Sequence, residues 1–130
     1  MKSKTGFTLL ETAILVTFFA LLTTLLVVQK FNLDAMNRDN IRKTAINAMY
    51  YSLENDFYLK NNYYPESISA QNLSSVAPEL FTDPSGNPLG DGKSDYYYQP
   101  ANCEQGRCKE YTLSARLEKE GTYEKTNKSR

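Results

Sequence analysis

The hydrophobic pattern of this chain changes abruptly at about residue 29. From Phe7 to Val28 there are 22 consecutive residues without Lys, Arg, Asp, Gly or Pro, and Glu11 carries the only formal charge among them. A helix of that length extends about 33 Å, enough to cross the hydrocarbon core of a bilayer. Because no small-residue cleavage site follows the run, it predicts a retained membrane anchor over residues 7–29 rather than a removed signal peptide.

A different periodicity governs residues 30–61. This stretch contains neither Gly nor Pro, so nothing in it ends a helix that starts in the apolar run. Apolar residues recur at every fourth position, with Ala48 and Ser52 beside them on the helical wheel. The repeating positions are Ile41, Ala45, Met49, Leu53 and Phe57. We therefore predict one helix from Phe7 to Asn61, whose second half is amphipathic and packs on a sheet.

Turn and strand signals begin where this helix is expected to end. Asn61-Asn62 favours a left-handed stop, and Pro65 excludes further helix. Residues 66–80 are interpreted as a surface loop with a short helical turn at 73–76. Strand character follows at 96–99 and 111–117, and in the second segment one face is formed by Tyr111, Leu113, Ala115 and Leu117.

These signals together predict an α+β fold. It consists of a long N-terminal helix and a small antiparallel β-sheet that packs on the C-terminal half of the helix. The loop and sheet occupy residues 62–118. Residues 119–130 are polar and alternately charged, which predicts a disordered tail.

The two cysteines predict a disulfide and an orientation. Cys103 and Cys108 enclose four residues including Gly106, a suitable hairpin tip, and bridging them would stabilise the fold by about 2 kcal/mol. A redox pair is the alternative, although such pairs more usually have two intervening residues. Because disulfides persist outside the cytoplasm, we expect the C-terminal part outside and the N-terminus inside.

Composition narrows the classes of function. The 15 basic and 15 acidic residues balance, and without a basic cluster nothing argues for binding nucleic acid. The absence of His and the presence of only two Cys remove Ser/His/Asp and Cys/His catalytic sets and most zinc sites. We therefore expect no enzyme and no cofactor. Ten Tyr residues occur largely in clusters, and these favour a sheet core or strand pairs over an adhesive surface.

Glu11 is the unusual residue of the apolar run. An acid costs about 2.5–3.5 kcal/mol at the centre of a membrane helix and less near its end. Glu11 could reach the membrane interface, or it could pair with a positive charge. Since the apolar run contains no cation, such a partner would come from another subunit.

The residues around Glu11 resemble a known processing signal. The segment Lys4-Thr5-Gly6-Phe7-Thr8-Leu9-Leu10-Glu11 is similar to the class III signal of type IV pilins and type II secretion pseudopilins. Weaker similarities continue along the chain. They are Arg42, Ile46 and Ala48, the run Tyr58 to Tyr64-Pro65, Asp83-Pro84 with Gly86, Tyr98, and the run Tyr111 to Glu118.

The resemblance implies a processing and assembly mechanism. Residues 1–6 would be a leader that a membrane prepilin peptidase removes by cleavage between Gly6 and Phe7, followed by N-methylation of Phe7. The new ammonium at Phe7 would neutralise Glu11 of a neighbouring subunit as helices pack into a filament. The implied partners are other copies of the chain, the peptidase, and an assembly platform with its ATPase. The implied locations are the cytoplasmic membrane and then a surface pilus or an envelope pseudopilus.

The resemblance leaves alternatives open. The chain could be a major pilin, a minor pilin or a secretion pseudopilin, and a single-span membrane protein with an extracytoplasmic sensing or binding domain is a different class. The helix-breaking Pro and Gly of many pilins are replaced here by Val28 and Ala20. Major pseudopilins bind calcium in a C-terminal loop, for which the weak candidates are Asp83, Asn87, Asp91 and Asp95; turn formation is the other explanation of these residues.

Overall fold

The helical part of the chain is nearly continuous. The computed structural model describes residues 6–129. Helix α1 spans Leu9–Ser52, a π-helical segment follows at Leu53–Phe57, and α2 spans Tyr58–Asn61. The chain divides into two compact units after Ala35. The predicted long helix is confirmed, with a start two residues later than expected and a π-helical segment that the sequence did not predict.

The helix ends as the Asn-Asn pair predicted. Asn62 adopts a left-handed conformation with φ of 60°, and its N–H donates to the Tyr58 carbonyl at 2.7 Å. Asn tolerates this conformation better than most residues because its short polar side chain bonds locally. The following residues Tyr64–Pro65 form strand β1.

The sheet has four antiparallel strands, and the third is central. Strands β2 (Tyr96–Glu104), β3 (Arg107–Arg116) and β4 (Thr122–Thr126) follow β1. Strand β3 pairs with β2 along most of its length, with β1 near its start and with β4 near its end. The expected α+β architecture is therefore confirmed. Both predicted strands are present, and each is longer than predicted.

The prediction of a disordered C-terminal tail is wrong. Residues 122–126 form β4, in register with β3 from Thr112↔Thr126 to Arg116↔Thr122. Gly121, with φ of 80°, completes the turn by accepting a hydrogen bond from the Leu117 N–H at 2.6 Å. The segment is mostly polar because β4 is a partly exposed strand, held by backbone pairing with β3 and by Tyr123, which packs against the core.

The core lies between the second part of the helix and one face of the sheet. The helix contributes Ala45, Ile46, Met49 and Leu53, and β3 contributes Tyr111, Leu113 and Ala115, with Leu117 just beyond it. The predicted alternating face of this strand is confirmed. The predicted apolar face with a residue at every fourth position was wrong at Ile41, which is 42% exposed. Each step of four residues rotates about 40° beyond a full helical turn, so the first position of the series lies away from the sheet.

The loop before β2 completes the core. Ile68, Leu73 and Val76 are buried although the loop runs over the surface. The predicted turn at 73–76 is present as a hydrogen bond from the Val76 N–H to the Leu73 carbonyl at 3.0 Å. A 3₁₀ helix at Pro78–Phe81 was not predicted, and it buries Phe81.

Candidate assembly interface

The first part of α1 is an apolar surface without a covering. Every residue from Gly6 to Asp34 is exposed, and Leu9 is 90% exposed. Among the described residues, one helical stretch, Leu9–Asn61, is long and apolar enough to cross a membrane, and its most apolar window is entirely unburied. By length and composition, the predicted membrane anchor is therefore confirmed as a candidate membrane span.

The threonines of this segment satisfy their own hydroxyl groups. Thr17 donates to the Ala13 carbonyl at 3.1 Å, and Thr24 donates to the Ala20 carbonyl at 2.8 Å. Thr12 and Thr23 make equivalent bonds one turn back. These threonine hydroxyls are therefore bonded within the helix and need no partner outside it.

Glu11 caps the start of its own helix. Its Oε2 accepts hydrogen bonds from the Thr8 N–H at 2.8 Å and from the Thr8 hydroxyl at 3.0 Å. The Glu11 N–H in turn donates to the Thr8 hydroxyl oxygen at 3.3 Å. This reciprocal pair is a capping box, for which the sequence signal is Thr-x-x-Glu. The sequence analysis missed Thr8, although this motif was readable.

The two residues of the expected cleavage site precede the helix. Gly6 and Phe7 are exposed and belong to no helix or strand, and Phe7 is 77% exposed. A Cβ atom added to Gly6 would meet no atom within 4 Å. The rest of the expected leader, residues 1–5, lies outside the described residues. Both described residues of the expected cleavage site are therefore exposed, and cleavage with methylation stays a prediction.

A cluster of six charged side chains ties the helix to the sheet. The Arg42 cluster consists of Arg38, Asp39, Arg42, Asp95, Arg116 and Glu118. Arg42, 2% exposed, donates to Asp39 at 3.0 Å, to Asp95 at 2.9 Å and to Glu118 at 2.8 Å. Three cations and three anions balance, as buried charges require. The resemblance had singled out Arg42, but its partners were not predicted.

Asp39 fixes the turn that follows β3. Its carboxylate accepts the backbone N–H groups of Glu118 at 2.8 Å and Lys119 at 2.9 Å. Burial opposes ionisation of Asp39, but these two bonds and Arg42 outweigh it and lower its pKa. Arg38 and Arg42 hold the pKa of Glu118 at about 2. The carboxylates of Asp39 and Glu118 are therefore kept ionised, and Asp39 orients the turn that leads into β4.

The calcium candidates organise a loop. The Asp83 carboxylate accepts the backbone N–H groups of Ser85 at 2.8 Å, Asn87 at 2.9 Å and Asp95 at 2.9 Å, and although burial opposes it, these bonds lower its pKa. Asp91 accepts the Lys93 N–H at 3.0 Å, and Asp95 belongs to the Arg42 cluster. In residues 6–129 there is no group of three or more His, Cys, Asp or Glu placed to hold a metal ion. Calcium binding stays an untested expectation.

The disulfide between Cys103 and Cys108 is present. The two residues face each other across the β2–β3 hairpin, whose two-residue turn is formed by Gln105 and Gly106, both with positive φ. Cys108 is also paired with Tyr64 of β1. The disulfide therefore links β2 to β3 at the position where β3 also pairs with β1.

A buried acid was missed by the sequence analysis. Glu54 lies in the π-helical segment and is fully buried. Its Oε1 accepts the hydroxyl groups of Tyr64 at 2.9 Å and Tyr111 at 3.0 Å. Burial, and after it Glu54, raises the pKa of Tyr111. Glu54 directly follows Leu53 of the apolar stripe. Its burial cannot be predicted from this position, because an acid beside an apolar stripe usually faces water.

Three of the tyrosines lie in the core. Tyr64, Tyr96 and Tyr111 are each 1% exposed, whereas Tyr97 lies at the surface. The rings of Tyr64 and Tyr111 meet edge to face with centroids 4.7 Å apart. Burial raises the pKa of Tyr96 to about 12. These residues therefore serve the core, as their strand context favoured.

Comparisons with protein-family models, with curated proteins and with solved structures found no match to the chain. The site must therefore be interpreted from its own geometry. Its features are an apolar exposed helix, a capped acid near the start of that helix, and a disulfide-bonded α+β domain.

Proposed function

We propose that the chain is a structural subunit of a type IV pilus-like filament. In this proposal a prepilin peptidase cleaves after Gly6, Phe7 is N-methylated, and subunits leave the membrane to pack through their N-terminal helices. The observation that carries the proposal is the exposed apolar surface of Leu9–Leu33, which contains a single acid, Glu11. Such a surface requires lipid or other copies of itself as its environment.

Charge pairing would give the packed helices their register. Burying apolar side chains against each other gains little over lipid contacts, so packing alone would define the register weakly. An ammonium at Phe7 and a carboxylate at Glu11 supply a specific pair, which is strengthened where water is excluded. During assembly Glu11 could accept a hydrogen bond from the neighbouring ammonium and still keep its bonds to Thr8, because a carboxylate has about four acceptor sites.

The capping box supports a second candidate function. A single-span membrane protein with an outer binding or sensing domain would use Glu11 only to begin its own helix at the membrane interface. It would keep its leader and need no neighbouring subunit. The intrachain bonds between Thr8 and Glu11 are the specific observation that favours this candidate.

Two substitutions of Glu11 separate the candidates. Glu11→Gln keeps an acceptor for the Thr8 N–H, as in a capping box, but it removes the charge; Glu11→Leu removes both. The filament proposal expects both variants to insert into the membrane and neither to form filaments in sheared surface fractions. Normal membrane insertion of Glu11→Gln together with failed insertion of Glu11→Leu would favour the single-span candidate, in which Glu11 only caps its own helix.

The N-terminus of the mature protein tests processing separately. The expected result is a chain that begins at Phe7 and carries one added methyl group by mass spectrometry. Gly6→Val should leave the leader in place. Because a side chain at Gly6 would meet no other atom, the loss of cleavage would report failed recognition by the peptidase rather than misfolding. A mature terminus other than Phe7 would overturn the proposal. Abundance in sheared surface filaments would point to a major pilin rather than to a minor pilin or a pseudopilin.

A further inference from the structure

The last described residues approach the buried acid. Strand β4 ends at Thr126, opposite Thr112, and Asn127 extends the pairing by one residue. The Asn127 N–H donates to the Tyr111 carbonyl at 3.3 Å. The side-chain Oδ1 of Asn127 accepts the Tyr111 N–H, also at 3.3 Å. Both main-chain polar groups of Tyr111 are thus bonded to Asn127, while its hydroxyl is bonded to Glu54.

The next residue bonds to the acid directly. The Lys128 N–H donates to Glu54 Oε1 at 3.4 Å, across 74 positions of sequence. The same oxygen accepts the hydroxyls of Tyr64 and Tyr111. A fully buried carboxylate is stable only when hydrogen bonds replace its lost hydration. The donors therefore come from β1, from β3 and from the C-terminal segment.

We propose that Asn127 and Lys128 form a C-terminal strap that closes over the Glu54 carboxylate and stabilises the π-helical segment Leu53–Phe57. The strap is held by the backbone N–H groups of Asn127 and Lys128 and by the side-chain oxygen of Asn127. π-Helical segments are costly in isolation and persist where their surroundings compensate. Because Glu54 lies in this segment, losing a hydrogen bond to its carboxylate would destabilise the segment. The strap acts within the subunit and does not depend on filament formation.

Removing the strap tests this directly in the full-length chain in detergent micelles. A stop after Thr126 deletes the strap, and a stop after Lys128 is the matched control that deletes only Ser129 and Arg130. Hydrogen exchange by mass spectrometry would follow the peptide covering residues 53–64. We expect exchange there to rise about tenfold in the first variant, as for losing a hydrogen bond to a charged group, and to stay unchanged in the control.

A point substitution tests the individual donor and remains informative if the shortened chain does not fold. Lys128→Pro removes the N–H that reaches Glu54, because Pro has no backbone donor. Lys128→Ala keeps the N–H and is the control. Faster exchange at 53–64 in Lys128→Pro alone supports the strap. Equal exchange in the two point variants, or equal effects of the two stops, would overturn it.

Discussion

The two units of the chain use the same helix in opposite ways. Between Leu9 and Leu33 every apolar side chain is exposed, whereas between Ala45 and Leu53 the apolar side chains of one face are buried under the sheet. In the first unit the helix is apolar on all sides as far as Val28, whereas in the second apolar and polar positions alternate. A helix that is apolar all round lacks a face for water. The difference indicates that the first unit depends on surroundings outside the chain and that the second supplies its own.

The largest effect should come from separating the two. A chain that begins at Lys30 retains the whole core and lacks the apolar run up to Val28, so we expect it to be soluble and folded without detergent. The full-length chain should require detergent or lipid. Sedimentation and circular dichroism in aqueous buffer would compare the two. Aggregation of the shortened chain would show that the second unit is not self-sufficient.

Matched leucine substitutions compare a buried position in the second unit with an exposed position in the first. Leu113→Ala removes a fully buried side chain and should lower the free energy of unfolding of the domain by about 2–5 kcal/mol. Leu21, which is 67% exposed, is the control, and Leu21→Ala should leave domain unfolding unchanged. Chemical denaturation in micelles, followed by near-ultraviolet dichroism of the tyrosines, measures both. Similar losses would mean that unfolding of the domain depends on the exposed part of the helix.

The disulfide should contribute less than the core. Replacing both Cys103 and Cys108 by Ala should lower the free energy of unfolding by about 2 kcal/mol, because the bridge closes a short loop. Reduction of the wild-type chain under denaturing titration should give a similar loss. A change far larger than this would mean that the hairpin tip organises the sheet beyond its contribution to loop entropy.

The charges of the domain predict the smallest effect, a dependence on pH. Glu118 has a pKa of about 2 against an ordinary 4.5, and the pKa of Asp39 is also lowered. Their contribution is therefore complete above about pH 4.5 and is lost as the pH falls towards 2. Tyr96, with a pKa raised to about 12, predicts a second decline above pH 10. Denaturation midpoints between pH 2 and 11 would test both edges, and Glu118→Gln should flatten the acidic one.

Local pattern was sufficient for several features of this fold. The run Phe7 to Val28 predicts an uninterrupted apolar helix, Asn61-Asn62 its end, and the alternation from Tyr111 to Leu117 a one-sided strand. The spacing of Cys103 and Cys108 predicts the hairpin and its disulfide. Each signal lies within a few residues of the structure it specifies, so each could be read without knowing what packs against it. Thr8 belongs to this group, since its capping motif is equally local.

The tertiary structure decided the rest, because those features depend on residues far apart in sequence. Strand β4 forms because the edge of β3 offers backbone partners to a polar segment, and Glu54 is buried because Tyr64, Tyr111 and Lys128 supply its hydrogen bonds. Arg42 is buried because Asp39, Asp95 and Glu118 balance its charge. The sequence alone determined where the chain is apolar and where it turns. Only pairing between residues far apart in sequence determined which polar groups are buried.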